Sequence, residues 1–502
     1  MRKIIALWQN EMIKTFKKVS IIILTALLIP AIFGIGGFFK LIGYIDESYT
    51  IDEEYRQQEL EMFKEELSKY EKELKDTSPE DKEYASIIDN IYSMKEAITV
   101  RELCNKMELD TYFSSNWLNE AINEYAFALS AIQRDTVHDP EYLSDNEFKR
   151  QTKHLALKEI IEERDYKKYI DLKKEEIKSS SYSATEKEFE LKALDYRLKC
   201  DPEGINQTYS IDNAINTLRE YNRSLESGIN YTVSPQVPLS VTQEKQFKNA
   251  VSALEYKLNS GLIKPSASEN SEMATTLAVP GMISVGASVV LILLIILAGG
   301  SVSQEMSSGS IKSLIISPTK RWKIFAAKYL SILTVGVGTT LIASALTVVS
   351  ALIWYGPDSL VSYVYAVNGV PHEINGVIYV FAQQFVELIE IVIFSTFAFM
   401  LSVVTRNTAA SVCVSVVIYY LGSTATGMLA AFGISGEWVK FIPFNNTSML
   451  ATQFFPFSDL NNILSELTVS ATPTLTFSLI YISVIMICML YTAFDSFTRR
   501  DI

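Results

Sequence analysis

Long apolar runs alternate along this chain with one extended, charged and strongly periodic stretch. A helix needs about 20 apolar residues to cross a bilayer. Six runs of that size fall near residues 19–41, 279–300, 325–354, 377–403, 408–431 and 474–495. Between the first and second, residues 46–275 are poor in Gly and Pro and rich in Glu, Lys, Leu and Tyr, a helix-forming composition. There Leu60, Phe63, Leu67, Tyr70 and Leu74 recur at alternating steps of three and four, enough for a packed helix hairpin but too short for a coiled coil. Further helices are expected near 83–133, 146–178, 185–199, 211–227 and 242–259. Breaks fall at Asp76-Thr77-Ser78-Pro79, His138-Asp139-Pro140, the serines 179–181 and Asp201-Pro202-Glu203-Gly204, and an extended arm at 230–240. The pattern predicts an all-α membrane protein of six transmembrane helices with a mainly helical extracytoplasmic domain.

Residues 1–18 place Ile5, Trp8, Met12 and Phe16 on one helical face, with Lys14, Lys17 and Lys18 off it. That is the pattern of an amphipathic helix lying among lipid headgroups. The apolar run that follows is longer than a signal-peptide core and has no small-x-small cleavage site after it, so a retained anchor over 19–45 is expected.

Charge fixes the expected orientation. The 502-residue chain carries 45 basic and 58 acidic residues, of which 30 and 47 lie in 46–275, giving that segment −17 and the rest +4. The acidic balance belongs to one segment and identifies no nucleic-acid partner. Of the 15 remaining basic residues, 13 cluster at one side: Arg2, Lys3, Lys14, Lys17, Lys18, Lys312, Lys320, Arg321, Lys323, Lys328, Arg406, Arg499 and Arg500. Lys40 and Lys440 fall toward the other. Basic loops stay cytoplasmic. Both termini are therefore expected inside the cell membrane and residues 46–275 outside. The −17 segment suits attraction of cationic peptides, or is the solvated face of long helices. Cys104 and Cys200 share it; a disulfide and two free thiols are both open.

No phosphate loop of the G-x-x-x-x-G-K-[ST] kind and no G-x-S-x-G nucleophile turn occurs. The three histidines, His138, His154 and His372, have no metal-like spacing. No catalytic residue, cofactor or metal is expected, and ATP hydrolysis would fall to a separate subunit.

The stretch 303–323 interrupts the apolar pattern on the expected cytoplasmic side. Ser307 or Ser308 suits a helix cap, Ile311, Leu314 and Ile315 give an apolar stripe, and Pro318 ends the helix. Lys320, Arg321 and Lys323 then sit at headgroup level against membrane lipid. A helix presenting such a stripe either lies on the membrane or docks in a partner's groove.

Glu305, Gly309, Ser310, Leu314, Pro318, Arg321 and Lys328 fit E-x-x-x-G-[TS]…L…P-x-x-R…K. That pattern resembles the ABC type-2 permeases, the membrane subunits of bacterial ABC exporters. The ending Phe497-Thr498-Arg499-Arg500-Asp501-Ile502 and the stretch Leu401-Ser402 through Arg406-Asn407 look like the same family. The likeness covers 1–45 and 276–502 in topology and order. It implies that 304–317 is a coupling helix, with Glu305, Gly309, Ser310, Ile311, Leu314, Pro318 and Arg321 docking onto an ABC ATPase subunit expected in two copies. It also implies a second permease copy or a related permease. Export of a peptide, lipid or drug-like amphipathic substrate would follow. A large helical insertion between the first two spans marks a subset of that family.

Within the fourth span, Gln383, Glu387 and Glu390 share a face at i, i+4 and i+7. At about 1.5 Å per residue both carboxylates fall near mid-bilayer, where ionisable groups are costly and face a bundle interior or wet cavity. One reading is a pathway lining for a cationic substrate or protons; the other is structural hydrogen bonding to neighbouring spans. Gly34, Gly36, Gly37, Gly422 and Gly427 read as close helix packing. Residues 432–473, with Pro443, Phe444 and Phe454-Phe455-Pro456-Phe457, are too apolar for an external loop and are expected to re-enter the bilayer. The alternative to an exporter is a non-transporting receptor or scaffold of the phage-infection-protein type. A membrane enzyme acting through Glu387 and Glu390 is a third class without supporting motifs.

Overall fold

A computed structural model describes residues 2–47, 53–109, 116–138, 145–204, 209–232, 236–239, 241–266, 272, 276–308, 319–360, 362–431, 437–444, 446–447 and 474–499. The chain divides into two compact units, 1–41, 220–253 and 273–502 in one and 42–219 and 254–272 in the other. Residues 220–253, which the charge pattern puts in the external segment, thus group with the first unit.

In the first unit, α1 (Arg2–Phe16) leads into α2 (Val19–Glu47), with α11 (Ala278–Gly300), the five-residue α12 (Ser303–Ser307), α13 (Arg321–Tyr355), α14 (Gly376–Thr405), α15 (Thr408–Ala431) and α16 (Leu475–Arg499) later in the chain. Among the described residues, five helices are long and apolar enough to cross a membrane: Ile21–Tyr44, Ala278–Ser307, Arg321–Tyr355, Gly376–Thr405 and Thr476–Arg499. The sixth run, in α15, is apolar over the shorter stretch Thr408–Gly422. α11 is the hub. It is uncharged and 15 of its 23 residues are buried, against α13, α14 and α15. A helix apolar all round belongs in such a central position. By contrast α2 and α16 leave apolar side chains such as Ile22, Ile29, Phe38, Ile480, Val484 and Ile487 exposed.

Glycines set two of the contacts. Gly36 and Gly37 let α2 meet the Trp354 ring on α13, and Trp354 Nε1 donates to the Phe33 carbonyl at 3.1 Å. A Cβ at Gly422 would run into the Phe444 ring, whereas one at Gly34 would meet nothing within 4 Å.

α1 corrects the expected amphipathic face. Leu7, Trp8, Glu11, Met12 and Thr15 turn toward the bundle, and Trp8 Nε1 donates to Thr334 Oγ1 of α13 at 3.1 Å. Ile5, Ile13 and Phe16 are exposed instead. The predicted stripe is split because the bundle claims half of it.

Sequence periodicity also missed a hairpin. β3 (Tyr363–Val367) and β4 (Val370–Ile374) pair antiparallel between α13 and α14. They are joined by Asn368 and Gly369, both at positive φ, as a two-residue turn with the strand twist requires.

The second unit is helical: α3 (Glu53–Asp76), α4 (Tyr84–Met107), α5 (Trp117–His138), α6 (Asp145–Glu163), α7 (Tyr166–Ser179) and α8 (Ala184–Cys200). Two further helices run across the division, α9 (Tyr209–Ser227) and α10 (Val241–Asn259). Between those two, β1 (Ile229–Asn230) pairs with β2 (Val237–Pro238), where an extended arm was expected. The expected α3 stripe is half-buried against α4, locked by Arg101, whose guanidinium stacks on Phe63 and reaches Glu59 at 2.7 Å. The core gathers Trp117, Tyr166, Tyr169, Leu157 and Ile161, and Trp117 Nε1 donates to the Gly204 carbonyl at 2.7 Å. The helical stretches 83–133 and 146–178 each hold two helices. Cys104 and Cys200 are both free thiols.

Candidate functional site

The junction from α11 to α12 is tied down by hydroxyl side chains. Ser402 Oγ on α14 accepts the Ser303 backbone N–H at 3.1 Å, and Ser303 Oγ lies 2.6 Å from Thr408 Oγ1 while donating to the Gly299 carbonyl at 2.7 Å. Bending a helix here frees backbone donors, and these bonds absorb them. These bonds hold α12 in place, with Gln304 and Glu305 presented to α1 and α13.

A charge cluster forms where those elements meet. Lys328, about two turns into α13, is 1% exposed and reaches Glu305 at 2.8 Å, Glu11 at 3.0 Å and the Ser301 carbonyl at 3.3 Å. Lys14 bridges Glu11 at 3.2 Å and Glu305 at 3.4 Å, and Lys18 donates to Gln304 Oε1 at 3.0 Å. Burial opposes charge on Glu11, but Lys328 and Lys14 outweigh it and hold its carboxyl below the usual carboxylate value. Burial likewise opposes charge on Lys14, and Glu11 and Glu305 raise it on balance. Lys18 is pushed down by burial and then by the Lys328 charge. Buried ions persist only when paired, and Lys328 has two carboxylates and a carbonyl.

Of the residues expected to couple to a partner, Glu305 and Arg321 are therefore seen. Arg321 Nη1 donates to the Thr498 carbonyl at 3.1 Å, while Phe497 is buried against Phe325. Gly309, Ser310, Ile311, Leu314 and Pro318 lie outside the described residues, as does most of the 304–317 helix. The same holds for 432–436, 445 and 448–473 of the expected re-entrant stretch. Glu11 was not singled out from sequence. Its signal was a lone carboxylate on the bundle-facing side of α1, legible only once that face was known.

Along α14 the predicted polar face is assembled as expected in part. Gln383 Nε2 donates to Glu387 Oε1 at 3.3 Å, and Thr447 Oγ1 donates to Glu390 Oε1 at 3.3 Å. Asn446 beside Thr447 accepts from Ser478 of α16 at 2.9 Å, which anchors that segment. Among the described residues neither carboxylate forms an ion pair, and no group of three His, Cys, Asp or Glu could hold a metal. The arrangement leaves two carboxylates with one hydrogen-bond donor apiece in a helix with no other charged residue.

The family match falls in the C-terminal half of the chain. A family described as "Protein of unknown function (DUF2705)" matches residues 260–502. Two relatives come from Bacillus subtilis (strain 168). "Uncharacterized protein YhcI" is 31% identical over 217 residues, covering 41% of this chain and 63% of its own. "Uncharacterized membrane protein YdbK" is 29% identical over 156 residues, 31% of this chain and 58% of its own. The chain thus spans about six-tenths of the length of each curated relative. No solved structure matches. With several membrane-length apolar helices and a membrane-protein relative, the chain is a multi-pass, largely α-helical membrane protein.

Proposed function

We propose that this chain is the membrane subunit of an ATP-driven exporter, powered by a separate ABC ATPase. In this reading it exports a peptide, lipid or drug-like amphipathic substrate. Six spans place both termini in the cytoplasm and 46–275 outside, and two copies, or one with a related permease, enclose the path. Both copies and lipid are accommodated by the apolar exposed faces of α2 and α16.

The observation that carries the reading is the ion-paired cluster at the root of the 309–318 loop. A partner pushing on that loop transmits force only if its root is rigid. Lys328 joins α12, α1 and α13 through two short ion pairs. Displacing α12 therefore drags α1 and α13 with it instead of bending the junction. A solvated loop with no load to carry gains little from such a buried cluster, since ion pairs of this kind are weak sources of stability.

The test is co-purification. An ABC ATPase encoded beside this chain should bind it, and Ile311→Asp with Leu314→Asp should release the ATPase while the permease stays folded. Retained binding in the double variant refutes the loop as the dock. Impermeant thiol labelling of Ser180→Cys in intact cells, with none of Ser308→Cys, is the expected result for the orientation; the reverse overturns it.

A further inference from the structure

Among the described residues of α13 and α14, four side chains carry buried polar atoms without a hydrogen-bond partner. Gln384 on α14 is 1% exposed, and neither its amide nitrogen nor its carbonyl oxygen is engaged. It faces Gly286 of α11, where a Cβ would stand 3.2 Å from Gln384 Nε2 and 3.6 Å from the Ala343 methyl of α13. Thr340 and Thr347 flank Ala343 at three and four residues, on the same face of α13. Their hydroxyls also lack a partner, as does that of Ser350 one turn beyond.

The neighbours make this informative. Thr339 and Ser344 turn their hydroxyls back to the carbonyls of Val335 and Thr340, the ordinary resolution for such residues inside a helix. Thr340, Thr347 and Ser350 lack such a bond, and Ser350 Oγ lies against Gly36 of α2. None of these three residues is more than 1% exposed. Buried polar groups in proteins almost always have a partner, from the protein or from ordered water.

We propose that the seam between α11, α13 and α14 holds a file of buried water molecules, with Gln384 donating and accepting at its centre. Water fits because the four groups together offer both donors and acceptors, and none of them is charged. The file lies on the helical turn that carries Gln383 and Glu387, so it gives that part of α14 a polar back as well as a polar front. The inference rests on these side chains alone and stands or falls separately from the exporter reading.

Met282 supplies the test. It is fully buried, and the position of a Gly36 Cβ lies 3.1 Å from its Sδ and 3.0 Å from Ser350 Oγ, so the thioether adjoins the seam. X-ray radiolysis generates hydroxyl radicals from bound water inside proteins. In the full chain held in nanodiscs, Met282 should be oxidised within a short exposure. The signal should be lost when Gln384→Leu, Thr347→Val and Ser350→Ala are combined. An unoxidised Met282 in the unaltered chain overturns the proposal, as does equal oxidation in the triple variant. Thermal stability gives a second readout. Gln384→Leu lowers the melting temperature if waters bind the amide and raises it if the seam is dry.

Discussion

Lys328 Nζ stands 2.8 Å from Glu305 Oε2, joining α12 to α13. Because Lys328 also reaches Glu11 of α1, one ammonium organises three chain segments. Replacing it with Met keeps the stem but leaves Glu11 and Glu305 facing each other in a poorly solvated place. Loss of one partner from a buried cluster costs about 3 kcal/mol. Lys328→Met should lower the thermal transition in detergent accordingly. Lys17→Met, on the exposed side of α1, should change stability by less than about 0.5 kcal/mol. Equal behaviour of the two variants refutes the anchoring role.

Glu11 makes the cluster sensitive to acid. Its carboxyl is held below the ordinary 4.5 by Lys328 and Lys14 against the opposing effect of burial. A lowered folded-state pKa means the charged form is favoured by folding. That contribution is complete above about pH 4.5 and is lost as the pH falls through the lowered value. Glu11→Gln should therefore flatten the acid limb of a stability–pH curve below pH 4.5 and leave its shape near neutrality unchanged. An acid limb identical to that of the unaltered chain removes Glu11 from the cluster's energetics.

Five of the six expected spans were legible in the sequence because crossing a bilayer demands an uninterrupted apolar length. Four breaks in the second unit were legible as well, after Asp76, His138, Ser179 and Cys200, but two were not. α4 ends at Glu108 and α6 at Arg164, both in the left-handed region. In each case the following N–H reaches back five residues, Leu109 to the Cys104 carbonyl and Asp165 to that of Ile160. Such closures normally use glycine, so a Glu and an Arg there gave no warning. The β3–β4 hairpin did carry a signal, the Asn368-Gly369 pair, overshadowed by the apolar spans on both sides. Glu305 and Lys328 were singled out as parts of a pattern, yet their pairing with Glu11 depends on which face of α1 meets the bundle. Gln384 was passed over because Gln383, Glu387 and Glu390 form the obvious stripe, and it sits on the neighbouring face.

Two glycines two residues apart on α2 offer a matched comparison. A Cβ at Gly36 would lie 2.8 Å from the Trp354 ring and 3.0 Å from Ser350 Oγ, whereas one at Gly34 would meet nothing within 4 Å. Gly36→Ala should cost about 1–3 kcal/mol through forced displacement of the indole. Gly34→Ala should stabilise by about 0.5–1 kcal/mol, because alanine loses less backbone freedom in a helix. Thermal unfolding of both variants in the same detergent decides it. A Gly36→Ala chain as stable as Gly34→Ala shows that α2 does not depend on the close approach.

Glu387 and Glu390 distinguish a pathway lining from structural hydrogen bonding. Each accepts one side-chain hydrogen bond, from Gln383 and Thr447. Glutamine in their place keeps the volume and an acceptor oxygen but removes the capacity for charge. If the two groups are structural, Gln substitutes well and every activity survives. If they line a path for a cationic substrate, the double Gln variant still assembles, because dispensing with a costly intramembrane charge does not harm folding. Its coupled activity is then lost. The measurement is ATP hydrolysis by the co-purified complex with and without a cationic amphipathic peptide, beside thermal unfolding of the same sample. The expected result is unchanged melting with peptide stimulation abolished. Full stimulation in the double variant removes both carboxylates from the pathway, and a collapse in melting temperature assigns them to structure instead.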